Sequence, residues 1–278
     1  MKICNCIDQR EIDIHIDQWF NANMCAVLGA IINQLKDKGL TVSVTPGPAS
    51  EIFSKNGFVK IIDSSAEILP DTHGTTIPYR EYRAKSKEDK KFAGDINDIW
   101  SLCMKEFNFT DETLKISFLE SLSEIFTNSK THSGSDKIYT CGQYYPTKQI
   151  IEFTIADSGI GIQSSVNSYL KKMNQEQLIA SDAIEWALQE GNTTMDTADT
   201  PGGLGLSVLF DFMQENGGKM QIVANDGYWC LENKNITKWN LDEAFKGTIV
   251  NIAIHMKDEN EERRINTSGG EQNEHNHD

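Results

Sequence analysis

The sequence predicts an α/β protein in two parts, a small α/β unit followed by a larger mixed sheet covered by helices. Three observations carry this. The apolar period changes from that of a strand to that of a helix just before residue 20. A second series of long helical segments and strands begins near residue 96, after a charged, turn-rich stretch. Three strand-like segments then follow one another at the end of the patterned chain.

In EIDIHID, Ile12, Ile14 and Ile16 alternate with polar neighbours, the pattern of a half-buried strand. From Phe20 through Met24, Val27, Leu28, Ile31 and Leu35 the apolar spacing is helical, and KDKG at 36–39 supplies bases and a glycine stop. LTVSV reads as a strand, PGPAS as a turn, EIFSKNG as a short helix and FVKII as another strand, which completes a unit over residues 1–65. Residues 66–95, with LPDTHGTTIP and YREYRAKSKEDKK, are rich in turn formers and charge and read as a junction.

The second domain is expected over 96–256. DETLKISFLESLSEIFTNSKTH predicts a long helix with Asp111 as its cap and Phe118, Leu119, Leu122, Ile125 and Phe126 as its apolar face. IIEFTIA reads as a strand, SDAIEWALQEG as a helix, and LGLSVLFDFMQENGG as a helix stopped by Gly217 and Gly218. KMQIVAN, GYWCLEN and GTIVNIAIHM read as three strands, with Asp226-Gly227 as a hairpin turn between the first two. Residues 257–278 are polar, acid-rich and aperiodic, the composition of a disordered tail.

Composition narrows the function. The chain has 278 residues, 38% apolar and 24% charged, and no apolar run approaches the roughly 20 residues of a membrane span. The N-terminus turns polar within MKICNCIDQREID, which predicts a cytoplasmic protein. Six scattered cysteines then read as reduced thiols, and Cys4-x-Cys6 lacks the second pair of a zinc site. A net charge of −15 argues against a nucleic-acid partner, which needs clustered Lys and Arg.

Four short segments carry chemistry. On the long helix Glu124 and Asn128 share a face, with Ser121 and His132 on the same line, although such a line also describes a solvated helix surface. Downstream stand IADSGIGI with Asp157, Gly159 and Gly161; PGGLGLSV with Gly202, Gly203 and Gly205 opening a helix; and Gly247-Thr248 opening the last strand. Each has a task if the ligand is magnesium ATP. Glycines at a helix start let phosphates approach backbone N–H groups and the positive end of the dipole. Asn128 can complete the oxygen shell of a magnesium ion that takes its other ligands from water and phosphate. Glu124 can accept a proton from an attacking water, and Asp157 can accept the exocyclic amine of adenine.

ESLSEIFTNSKTH, IADSGIGI, GGLGLSV and GTIVNI, in this order, resemble the N, G1, G2 and final-strand motifs of the GHKL ATPase superfamily, which includes gyrase B, heat-shock chaperone ATPases, mismatch-repair MutL proteins, histidine kinases and anti-sigma factor kinases. The resemblance covers residues 98–256 and is nearest to the anti-sigma kinase and gyrase branches. It implies a Bergerat-type α+β two-layer sandwich and a catalytic Glu124. It also implies a magnesium ligand at Asn128, and ATP contacts from Asn128, Asp157, Gly159, Gly161, Ile162, Gly202, Gly203, Leu204, Gly205, Leu206 and Thr248. Residues 163–201 fall where that family places its mobile ATP lid. The front unit, through LGAIINQLKDKGL and KNGFVKII, is similar to the STAS-like modules that partner anti-sigma kinases, and a generic α/β core explains those residues as well.

Rival nucleotide folds do not match. G-x-x-x-x-G-K-[ST] is absent, and Ser164 stands where a dinucleotide fingerprint needs its third glycine. No segment before residue 96 pairs a histidine with an acid as a histidine-kinase hairpin does. Three functions stay open: an ATPase whose lid closure signals to a protein partner, a serine/threonine kinase acting on a STAS-like partner, and an ATP-sensing adaptor with little turnover. A protein partner is common to all three, with signalling, stress or defence as the setting, and a homodimer is left open.

Overall fold

The computed structural model describes residues 2–3, 10–85, 88–107, 112–194 and 205–255, which form a mixed α/β structure. Asp111, Gly202, Gly203, Leu204, Cys4, Cys6 and the tail from 257 lie outside the described residues.

In the front unit β1 (Lys2–Ile3) pairs antiparallel with β2 (Glu11–His15), and β2 pairs parallel with β3 (Thr41–Thr45). The parallel pair requires a crossover, which α1 (Cys25–Asp37) provides. Two short helices follow, α2 (Ser50–Lys55) and α3 (Val59–Ile62). FVKII is therefore the short helix α3 with its N-cap Phe58, not a strand. Gly57 turns the chain with positive φ, the Asn56 side chain accepts the Phe58 N–H, and Phe58 goes into an aromatic cluster with Phe53 and Tyr79, so the apolar run is spent on one-sided packing.

The second sheet has the order β4-β5-β6-β8-β7, from β4 (Thr76–Arg83), β5 (Lys137–Tyr145), β6 (Ile150–Asp157), β8 (Asn235–His255) and β7 (Lys219–Glu232). All its pairings are antiparallel, so the sheet is not mixed. The stretch 66–95, expected as a junction, contains edge strand β4 and the first turns of α4 (Asp89–Phe107). Pro78 lacks an N–H, which suits an edge, and the register shifts between Ile77 and Arg80, which hides the alternation in the sequence.

The expected hairpin at Asp226-Gly227 is also different. The chain runs on through it as a bulge in β7 and turns at Asn233-Lys234, where both φ are positive as a tight two-residue turn requires.

Alternation places each strand residue. Ile151, Phe153 and Ile155 of β6 and Val250, Ile252 and Ile254 of β8 pack under the helices α5 (Glu112–Thr131) and α8 (Gly205–Asn216), with Phe118, Leu122, Phe126 and Phe212 opposite them. Most of the intervening residues face a second layer rather than open solvent. Tyr79, Tyr139, Cys141 and Ala156 share a core with Cys25, Ala26 and Leu28 of α1, so the front unit forms a third layer against the sheet. Among the described residues Cys25, Cys141 and Cys230 are unpaired, buried thiols, and no helix is long and apolar enough to cross a membrane.

Candidate functional site

On the helical side of the sheet lies an open cleft. Its wall is the last turn of α5 and the two residues after it: Asn128, Ser129, His132 and Ser133 all border the cleft. Its floor is the end of β6 at Asp157 and the part of β8 at Thr248 and Val250 where pairing with β6 begins. The opposite side comes from α6 (Ile162–Lys172), α7 (Ala180–Leu188) and residues 192–194, and Leu206 of α8 closes one end.

Asp157 is 2% exposed. Burial pushes its carboxyl up to about 6, against hydrogen bonds from the Gly159 N–H, the Thr248 N–H and the Ser129 hydroxyl that favour the ionised form. The Gly159 bond is 2.8 Å. An ionised carboxylate has about four acceptor sites, so three protein donors leave capacity facing the cleft.

The glycines have local reasons. A Cβ on Gly159 would overlap the Ser133 carbonyl, and the next N–H, that of Ile160, donates to this carbonyl at 2.8 Å. Gly161 has φ of 79°, and a Cβ there would overlap the Asn225 side chain. Asn225 accepts from the Gln163 N–H at 3.2 Å and donates to the Ile160 carbonyl at 2.9 Å. The bulge in β7 thus puts one amide side chain across the turn after Asp157. Gly247 has φ of 124° and lies against the Asp157 backbone, which brings the Thr248 N–H to the carboxylate.

Of the residues expected at a site, Asn128, Asp157, Gly161, Ile162, Leu206 and Thr248 border this one cleft. Gly159 is buried behind it and Gly205 opens α8 beside it. Glu124 lies one turn before Asn128, half-exposed and outside the immediate lining, yet close enough for its charge to act on His132. Burial outweighs that charge and lowers the His132 pKa, which keeps the ring neutral near pH 7. Gly202, Gly203 and Leu204 lie outside the described residues.

Sequence reading missed Ser129, Ser165, Thr194 and Asn225. Ser129 was legible in principle, being adjacent to Asn128 on the same helix. Asn225 was masked by the Asp-Gly that follows it, which reads as a turn. The stretch 163–201 holds all but the first residue of α6 and the whole of α7, packed together through Val166, Leu170 and Ala183. No protein-family model and no curated protein sequence matches this chain.

Proposed function

We propose that the chain binds magnesium ATP in this cleft and couples ATP binding or hydrolysis to a protein partner, as a GHKL-type ATPase with a Bergerat-type domain. The observation that carries the reading is Asp157: a buried carboxylate held by three protein donors, with acceptor capacity toward a cleft bordered by Asn128 one residue from its partner Ser129. Burying a carboxylate is costly unless a ligand or partner uses it. The antiparallel sheet with α5 and α8 on one face supports the same reading.

The residues present fit a magnesium nucleotide. Among the described residues no group of three His, Cys, Asp or Glu could hold a metal alone, which suits an ion that takes most of its ligands from phosphate and water. Asn128 would supply one amide oxygen. When bound, the ion neutralises phosphate charge and polarises the terminal phosphoryl group. Asp157 accepts the adenine amine, the N-terminus of α8 faces phosphate, and Glu124 takes the proton of the attacking water. A cytoplasmic location and a STAS-like role for the front unit belong to the same proposal.

Incubation with γ-labelled ATP tests it. Label released as free phosphate supports the ATPase; label on a partner protein supports the kinase alternative; tight binding without either supports an adaptor. Failure to bind ATP removes all three.

A further inference from the structure

A second cavity, of about 330 Å³, lies at the β4 edge of the sheet and shares no bordering residue with the cleft. It is bordered by α4, by β4 with β5 and β6, and by the loop at Asp71 and Gly74. Its volume is at the small end of small-molecule sites, which begin near about 300 Å³. Local chemistry shapes it. Pro78 and the register shift between Ile77 and Arg80 interrupt the ladder of β4. Asp71 accepts the N–H groups of His73, Gly74 and Thr76 at 3.2, 3.1 and 2.6 Å, which holds the loop in place as one wall.

The polar groups here carry both signs and are incompletely used. Tyr82, 1% exposed, accepts from the Thr140 hydroxyl and donates to Asp95 Oδ2 at 2.5 Å, which fixes that carboxylate at the cavity wall. Arg80 stands opposite Thr140 across β4 and β5, so the two side chains share this face. The Arg80 guanidinium makes no hydrogen bond to the described residues. Its Nε lies 3.8 Å from Asp95 Oδ2, too far for one. Thr76 Oγ1 is likewise buried without a partner among the described residues. Asp98 follows Asp95 by three residues on α4, borders the same cavity, and has no hydrogen bond or ion pair among the described residues. The rest of the lining is largely apolar, with Pro78, Phe92, Ile96 and Phe153.

We propose that this cavity binds a free α-amino acid with an apolar side chain. The carboxylate goes to Arg80, the ammonium to Asp95 and Asp98, and the side chain to the apolar lining. Charge decides the class. Three carboxylates against one guanidinium border the cavity, which repels a phosphate or any polyanion. The acids do not form a metal site either: among the described residues no three His, Cys, Asp or Glu are placed to hold an ion. A ligand of one sign leaves either Arg80 or Asp98 unused, whereas a zwitterion serves both. Arg80 Nε and Asp95 Oδ2 are 3.8 Å apart, so the two charges of the ligand must stand close together. The single α-carbon of an amino acid places them so. The proposal does not depend on the nucleotide reading of the cleft.

Calorimetric titration of the full chain, with no nucleotide present, tests it with L-leucine and three relatives. Leucinamide lacks the carboxylate, isocaproate lacks the ammonium, and ε-aminocaproate, an isomer of leucine, sets its two charges at opposite ends of the molecule. Leucine should bind, and each relative should bind at least about tenfold more weakly, as the loss of one charge-assisted hydrogen bond implies. Arg80→Gln should weaken leucine by a similar factor and leave leucinamide unchanged. Asp98→Asn should weaken leucine and leave isocaproate unchanged. Arg80 is partly exposed and Asp98 exposed, so both variants should melt near wild type. Absence of saturable binding of leucine, valine and phenylalanine up to about 10 mM overturns the proposal. So does leucinamide or isocaproate binding as tightly as leucine, because the cavity then reads one charge only. An equal loss of leucine and leucinamide in Arg80→Gln also overturns it, since that marks an arginine that only supports the fold. None of these outcomes bears on ATP binding in the cleft.

Discussion

The two faces of the five-stranded sheet are built from one alternating pattern and end differently. On the front-unit face the polar side chains bond to one another, with Asn23 Oδ1 the one atom of this network left buried without a hydrogen-bond partner among the described residues. Asn23 Nδ2 donates to Asn251 Oδ1 at 2.7 Å, Thr154 Oγ1 donates to the same oxygen at 2.7 Å, Asn251 Nδ2 donates to Gln221 Oε1 at 3.0 Å, and Gln221 Nε2 donates to the Tyr228 hydroxyl at 2.7 Å. Around this chain the apolar surface of α1 meets Tyr79 and Tyr139 closely enough that a Cβ on Gly29 would overlap the Tyr79 ring. On the helical face, by contrast, the layer is open between α5 and α6–α7, and the buried carboxylate at its floor keeps unused acceptor capacity. A chain of polar bonds running between layers fixes how they dock; a carboxylate with acceptor capacity at the floor of a cleft is where the proposed ligand would bind.

That contrast can be broken most forcefully at Glu124. Glu124→Ala should lower ATP turnover by about 10²- to 10⁴-fold, the range of a positioned general base, while leaving nucleotide affinity and melting temperature near wild type. Steady-state phosphate release beside calorimetry checks this. Asn128→Ala should instead reduce both binding and turnover, because it removes a proposed magnesium ligand.

The closed face should answer in stability alone. Asn23→Ala deletes the donor to Asn251 and Thr154 in a residue 2% exposed, and should cost about 1–3 kcal/mol of folding free energy. Chemical denaturation measures it, and ATP affinity should stay unchanged once the protein is folded. A loss of affinity equal to that of a cleft mutant would join the two faces that the structure separates.

Asp157 adds a pH signature. Its carboxyl is raised by burial to about 6, so its contribution favours the fold fully below the ordinary carboxylate pKa and is lost as pH rises through about 6. Between about pH 4 and pH 7 this one group should take away about 2–3 kcal/mol of stability. In Asp157→Asn that part of the decline should vanish in denaturation curves recorded across the range. Lys238 gives the smallest effect. It bridges Asp182 and Glu185 at the surface, and Lys238→Ala should cost less than about 1 kcal/mol with no change at the cleft.

How much of this was legible in the sequence differs between elements for physical reasons. The helix from Cys25 and the burial of Phe118, Leu122, Ile125 and Phe126 followed from period alone, because each helix presents one continuous stripe. Strand β4 did not, since Pro78 and a register shift break its alternation. The Asp-Gly at 226–227 has turn chemistry that tertiary pairing overrides, and the bulge so formed serves the cleft through Asn225. The polar line at Asn128 and His132 could be read as functional or as solvated surface. Its direction depends on α6 and α7 packing opposite, which helical spacing does not encode. The docking of the front unit on the sheet was likewise invisible, because alternating residues that face a second layer look the same as those that face water until one sees that they are Tyr139, Cys141 and Ala156.

The central claim is that the Asp157 cleft reads adenine. Calorimetric titration of wild type and Asp157→Asn with magnesium ATP and magnesium GTP tests it most directly. The account predicts that wild type binds ATP and prefers it to GTP, whose carbonyl replaces the amine, and that Asp157→Asn weakens ATP by about 1–3 kcal/mol, roughly 5- to 150-fold. Equal wild-type affinity for the two nucleotides, or undiminished ATP binding by Asp157→Asn, would contradict it.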